Sequence, residues 1–143
     1  MNIKQSNPNL IDLMHTKAYQ LDLLIEDRWN EKYDLYLSMS EWKAISLAYR
    51  RGKIPVAEVA KGMDISRQAT HKLIRNLERK GLLAISQLEN NKKAKSIQLT
   101  KEGVSCYEKK EVLKKELEKE MVGRLGEAQI QVLKETLKQD WGI

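Results

Sequence analysis

Residues 66 to 75 read SRQATHKLIR, and the side chains that could do chemistry there are Ser66, Arg67, Gln68, Thr70 and His71, followed by Lys72 and Arg75. No carboxylate lies among them and no nucleophile has a recognisable base partner, so the chemistry on offer is hydrogen bonding rather than bond making. Arginine can hold guanine bidentately and glutamine can hold adenine, while serine or threonine can meet a base edge or a thymine methyl. Lys72 and Arg75, with Lys53 upstream, are cations suited to phosphates. Such a set can read bases only if it stands at the start of a helix that enters a major groove.

The flanking residues supply that helix. In ISRQATHKLIRNLERKGLL, residues 65 to 83, Ser66 is placed to cap, Leu73, Ile74 and Leu77 form an apolar row, and Gly81 ends the helix with Leu82 and Leu83 folding back. A short helix in PVAEVAKGM precedes it, with Pro55 suited to its start and Gly62 to its end. Before that, Ser38 and Glu41 have capping-box spacing and predict a helix through Trp42, Ile45 and Ala48 or Tyr49, stopping at RRGK, residues 50 to 53. After Gly81 the period changes: LAISQL (83 to 88) and KSIQL (95 to 99) predict two strands joined by the tip ENNKKA. Helix, helix, helix and hairpin in that order predict a winged helix-turn-helix lobe over residues 38–100, with the helix-turn-helix itself from Ala57 to Lys80. Asn91, Lys92, Lys93 and Lys95 at the hairpin's end are placed to reach an adjacent minor groove.

Three more amphipathic helices are predicted at the two ends. Leu10, Met14, Ala18, Leu21, Ile25 and Trp29 alternate steps of three and four. Thr100 caps TKEGVSCYEKKEVLKKELEKEMVGRL, where Val112, Leu113, Leu117 and Met121 keep an apolar stripe and Gly123 and Gly126 are expected to break the helix; EAQIQVLKETLKQDW then puts Ile130, Leu133, Leu137 and Trp141 on one face. The expected fold is mostly α with a small β-hairpin wing (α+β), a winged helix-turn-helix within a single domain over 1–143. Residues 8–35 and 101–143 have stripes that the small central lobe cannot all cover, and they are expected to be dimerisation helices meeting through Leu10, Ile11, Leu133, Leu137 and Trp141.

Charge follows the same division. The 143 residues carry a net charge of +6, but residues 41 to 103 hold 14 basic and 6 acidic groups against 4 and 6 before them and 8 and 8 after. A basic excess confined to one segment is the footprint of a nucleic-acid face on a scaffold that does something else. No apolar run approaches the roughly 20 residues of a membrane span. The single cysteine, Cys106, excludes an internal disulfide framework and is expected to be an inert small hydrophobe, and with no secretory pattern the chain is expected to be cytoplasmic. His15 and His71 are far apart and no ligand spacing is present, so no metal or cofactor is expected, and the absence of phosphate loops and paired carboxylates argues against an enzyme.

With these elements in order, the chain resembles a MarR-family winged-helix transcriptional regulator over essentially its whole length, through the Trp42 helix, ISRQATHKLIRNLERKGLL, the wing and LTKEG at residues 99 to 103. The resemblance implies a homodimer on a pseudo-palindromic double-stranded DNA site, with repression as the usual output. It also implies a cleft for a small aromatic effector, for which Trp29, Tyr33, Tyr36 and Trp42, with Tyr19 nearby, are the candidates. The family's wing commonly carries an Asp followed shortly by an Arg; here Asn90, Asn91, Lys92 and Lys93 stand there, and lysine lacks arginine's planar fork. The alternative expectation is a winged-helix protein-interaction module or anti-regulator that does not read DNA sequence.

Overall fold

Asn9 opens the first helix by accepting the Asp12 N–H on its side-chain oxygen at 2.8 Å. In the computed structural model, which describes residues 7–88 and 91–143, the elements run α1 (Leu10–Lys32), α2 (Met39–Arg51), β1 (Ile54–Pro55), α3 (Val56–Met63), α4 (Arg67–Arg79), β2 (Leu83–Leu88), β3 (Asn91–Leu99), α5 (Lys101–Leu125) and α6 (Glu127–Lys138). The chain forms two compact units, Leu35–Val112 on one side and Met1–Asp34 with Leu113–Ile143 on the other. The division therefore falls inside α5 rather than at the end of the wing.

In the Leu35–Val112 unit, the capping box at the start of α2 is complete: Ser38 Oγ accepts the Glu41 N–H at 3.1 Å and Glu41 Oε1 accepts the Ser38 N–H at 3.0 Å. The expected hairpin is part of a three-stranded antiparallel sheet in the order β1-β3-β2. Ile54 pairs with Ile97 and Pro55 with Ser96, while Leu83, Ile85 and Gln87 face Leu99, Ile97 and Lys95. Proline is tolerated because β1 is an edge strand with no ladder hydrogen bond to donate on its outer side. A two-residue strand has no periodicity to detect, and the lysines of β3 mask its early start at Asn91.

The third helix does not end at Gly62. It runs to Met63 and is capped by Asp64, whose backbone is left-handed at φ 53°, and Gly62 lies inside it, where a Cβ would stand 3.3 Å from Leu47 Cδ2. That glycine serves the close approach of α2 and α3 rather than a turn. Ile45, Ile54, Val59, Ile74, Leu77 and Ile97 are fully buried, so the apolar row of α4 meets side chains of α2, α3 and the sheet in one core.

In the other unit, Ile25 and Trp29 of α1, Leu113 and Leu117 of α5 and Ile130 of α6 are buried. Arg28 donates through both terminal guanidinium nitrogens, Nη1 and Nη2, to the Glu120 carboxylate, and Lys134 bonds Glu118 at 2.9 Å. α5 runs through Gly123 and stops only at Gly126, where φ is 89°. α6 ends at Lys138, earlier than expected: Gln139 is extended, Gly142 N–H donates to Asp140 Oδ1, and an acid at a helix C-terminus opposes the macrodipole. Trp141 thus lies past the helix, its Nε1–H donating to the Thr136 carbonyl at 2.8 Å. Among the described residues, no helix is long and apolar enough to cross a membrane.

Candidate nucleic-acid interface

Ser66 caps α4 with its Oγ accepting the Ala69 N–H at 3.1 Å. From that cap, Arg67, Gln68, His71, Lys72 and Arg75 are all exposed, whereas Leu73, Ile74 and Leu77 are buried. The first turn contains no acidic residue, so no charged side chain compensates the positive end of the helix dipole, which favours an anion. Lys53, at the entrance to β1, is exposed as well, whereas its neighbour Arg51 lies 3.6 Å from Glu58.

Thr70 is the exception in the expected base-reading set. Its side chain is fully buried and its Oγ1 donates to the Ser66 carbonyl at 2.8 Å. Thr70 falls three, four and seven residues before Leu73, Ile74 and Leu77, so it shares their face, and the helical period alone could have placed it in the core. A hydroxyl that donates to the carbonyl four residues back needs no other partner there. Ser66 stays exposed but spends an acceptor lone pair on the cap.

In the wing, Lys95 is exposed on β3 opposite Gln87. The side chains of Asn91, Lys92 and Lys93, and the tip residues Glu89 and Asn90, lie outside the described residues. Behind the wing, Ser86 and Ser96 share a hydroxyl hydrogen bond of 3.0 Å across β2 and β3, with Ser96 fully buried.

Two clusters at the exit of α4 were not foreseen as part of the site. Lys80 Nζ donates to Glu41 Oε1 at 2.9 Å, to Oε2 at 2.7 Å and to the Tyr36 carbonyl at 2.9 Å. Burial alone would push the Glu41 carboxyl up, but hydrogen bonds from Lys80 and Ser38, with the Lys80 charge, hold it below the usual carboxylate range. One residue on, the Gly81 carbonyl accepts from Thr100 Oγ1 at 2.6 Å and the Leu82 carbonyl from Thr100 N–H at 3.0 Å. The capping box marked Glu41 in the sequence, yet nothing local signalled a partner 39 residues away.

The aromatic candidates for an effector are divided between the two units. Trp29 is buried against Tyr33, ring centroids 4.3 Å apart, in the unit that contains α1. Tyr36 is exposed and Trp42 half-buried beneath Lys110 Nζ, 4.2 Å from its ring, in the Leu35–Val112 unit. Trp29 belongs to a core and offers no free face. A depression of about 450 Å³ in the helical unit is lined by Arg28, Glu31, Lys32, Leu113 and Glu116, and by none of these rings. Cys106 is buried, and burial pushes its thiol up against a smaller opposing pull from Lys109. The residues expected at a dimer contact are open in the single chain: Leu10 is 66 % exposed, Ile11 65 %, Leu133 45 %, Leu137 53 % and Trp141 46 %.

Residues 37–95 match the model of the MarR family, while no curated protein sequence matches the chain. Among solved structures the chain is similar to wild-type apo MarR from E. coli, with a TM-score of 0.78 and 19 % identity over 94 % of this chain and 97 % of that one. It is also similar to MepR, a transcription regulator of the Staphylococcus aureus multidrug efflux pump MepA (TM-score 0.74, 21 % identity, 91 % and 94 % covered). A third match is Streptococcus pneumoniae FabT, solved in complex with DNA (TM-score 0.74, 20 % identity, 89 % and 90 % covered). At these identities the likeness is one of fold: mostly helical, with a small antiparallel sheet. Residues 37–95, from just before α2 into β3, are thus similar to the MarR family.

Proposed function

We propose that the chain is a homodimeric, sequence-specific DNA-binding transcriptional regulator, acting as a repressor, with no enzymatic activity and no required cofactor. The observation that carries this is the exposed set on α4, where Arg67, Gln68 and His71 stand with Lys72 and Arg75 in solvent while Leu73, Ile74 and Leu77 are buried. Arg67 and Gln68 read base edges, Ser66 and His71 add hydrogen-bonding partners at the groove, and Lys53, Lys72, Arg75 and Lys95 meet phosphates. Two copies related by a dyad put two such helices into successive major grooves, roughly 34 Å apart. FabT, a protein of this fold, has been seen with DNA. A small aromatic effector that favours another spacing of the two copies lowers affinity by population shift.

The test is fluorescence anisotropy of the full chain on duplex DNA enriched from a random pool, against scrambled duplex and single-stranded RNA, at two salt concentrations. Duplex-selective binding that survives the higher salt is expected. Arg67→Ala is expected to lower the ratio of selected to scrambled affinity by about tenfold, the worth of one bidentate base contact. Equal, salt-labile binding to all three nucleic acids would sink the reading in favour of a protein partner.

A further inference from the structure

Lys80 directly follows the last residue of α4, and its three ammonium protons have three acceptors: Glu41 Oε1 and Oε2 and the Tyr36 carbonyl, at 2.9, 2.7 and 2.9 Å. Three donors is the whole inventory of a lysine. Glu41 is itself only 5 % exposed and holds the Ser38 N–H on the same Oε1. The exit of α4 is therefore bound to the first turn of α2 and to the segment before it by directional, charge-assisted hydrogen bonds. The rest of α4 is held by Leu73, Ile74 and Leu77, whose apolar contacts depend on area and tolerate small rotations.

Base reading does not tolerate them. α4 has 13 residues and so is roughly 20 Å long; a tilt of about 10° at its exit moves the other end by about 3 Å. Groups at a recognition site must be held to roughly 0.5 Å. Nor is the pair an obvious source of net stability: the Lys80 side chain is 29 % exposed, and even buried ion pairs gain little over apolar residues of the same volume. We infer that Glu41 and Lys80 are positioning residues that set the angle of the reading helix, and thereby the discrimination between DNA sequences, without touching DNA. The inference rests on the DNA-reading function proposed above.

The variants that test it are Glu41→Gln, which keeps the capping-box acceptor and removes the charge, Lys80→Met, which keeps the stem, and Lys80→Arg, which keeps the cation. In the full chain, with Cys106→Ala to leave no competing thiol, spin labels at Lys43 on α2 and Gln68 on α4 report the angle as a distance distribution. Unlabelled proteins report the ratio of affinities for selected and scrambled duplex. Glu41→Gln and Lys80→Met are expected to broaden or shift the distribution and to lower the ratio about tenfold, with affinity for scrambled duplex unchanged and Lys80→Arg close to wild type. Folded variants that keep the wild-type ratio overturn the inference, whether or not the distance changes. If Lys80→Met does not fold, Glu41→Gln decides alone. A wild-type chain without sequence preference sinks the DNA-reading function itself, whereas a preference that survives both substitutions removes only the positioning.

Discussion

A Cβ built on Gly103 would lie 2.2 Å from the Leu82 carbonyl oxygen and 3.1 Å from Leu99 Cδ2, whereas one on Gly123, in the same helix, meets nothing within 4 Å. Helix propensity favours alanine over glycine by up to about 1 kcal/mol at both sites. At Gly103 the clash is with backbone that also accepts the Thr100 N–H, so it cannot swing aside. Gly103→Ala is therefore expected to destabilise the protein by about 3 kcal/mol, and Gly123→Ala to stabilise it slightly, as read from denaturant midpoints of the two variants. Equal effects would show that the approach of α5 to Leu82 is looser than it stands here. The same glycine explains the residues LTKEG: Thr100 Oγ1 donates to Gly81 and accepts the Gly103 N–H at 3.1 Å, fastening the first turn of α5 to the exit of α4. Both residues were visible in the sequence, but the oxygen that makes Gly103 obligatory belongs to a residue far away in the chain.

At the scale of elements, the wing is a three-stranded sheet whose central strand, β3, carries the basic residues. Lys95 is exposed there and pairs across to the neutral Gln87, so no carboxylate directly opposite it competes with a phosphate. Neutralising one phosphate contact changes the slope of log affinity against log salt by about 0.9. Lys95→Ala is expected to lower the slope on duplex DNA by that amount for each subunit engaged, and an identical slope would take this strand away from the backbone. The hairpin was legible from its alternation; β1 was not, since two residues ending in proline have no pattern, and it forms only because Ile54 finds Ile97.

At the scale of the whole molecule, helices α1 and α6 leave Leu10, Ile11, Leu133 and Leu137 open, with Val132 at 61 % exposure and, past α6, Trp141. A soluble monomer rarely exposes large contiguous apolar patches, and a second copy of the chain is the partner that the proposed dyad requires. Leu133→Glu with Leu137→Glu is expected to give a folded monomer in sedimentation equilibrium, and to weaken binding to a two-half-site duplex at least tenfold while sparing weak binding to a single half-site. A dimer that persists would place the contact elsewhere.

What the sequence by itself determined is what short-range physics decides. Caps at Ser38 and Ser66, the apolar rows of α1, α2 and α4, the alternation of the hairpin and the basic middle segment all follow from residues within a turn or two of one another. Only the tertiary structure decided that Gly62 and Gly103 are contact glycines and that Lys80 finds Glu41. Each of these depends on an atom brought close by chain folding rather than by chain order, and a local period carries no information about such a partner.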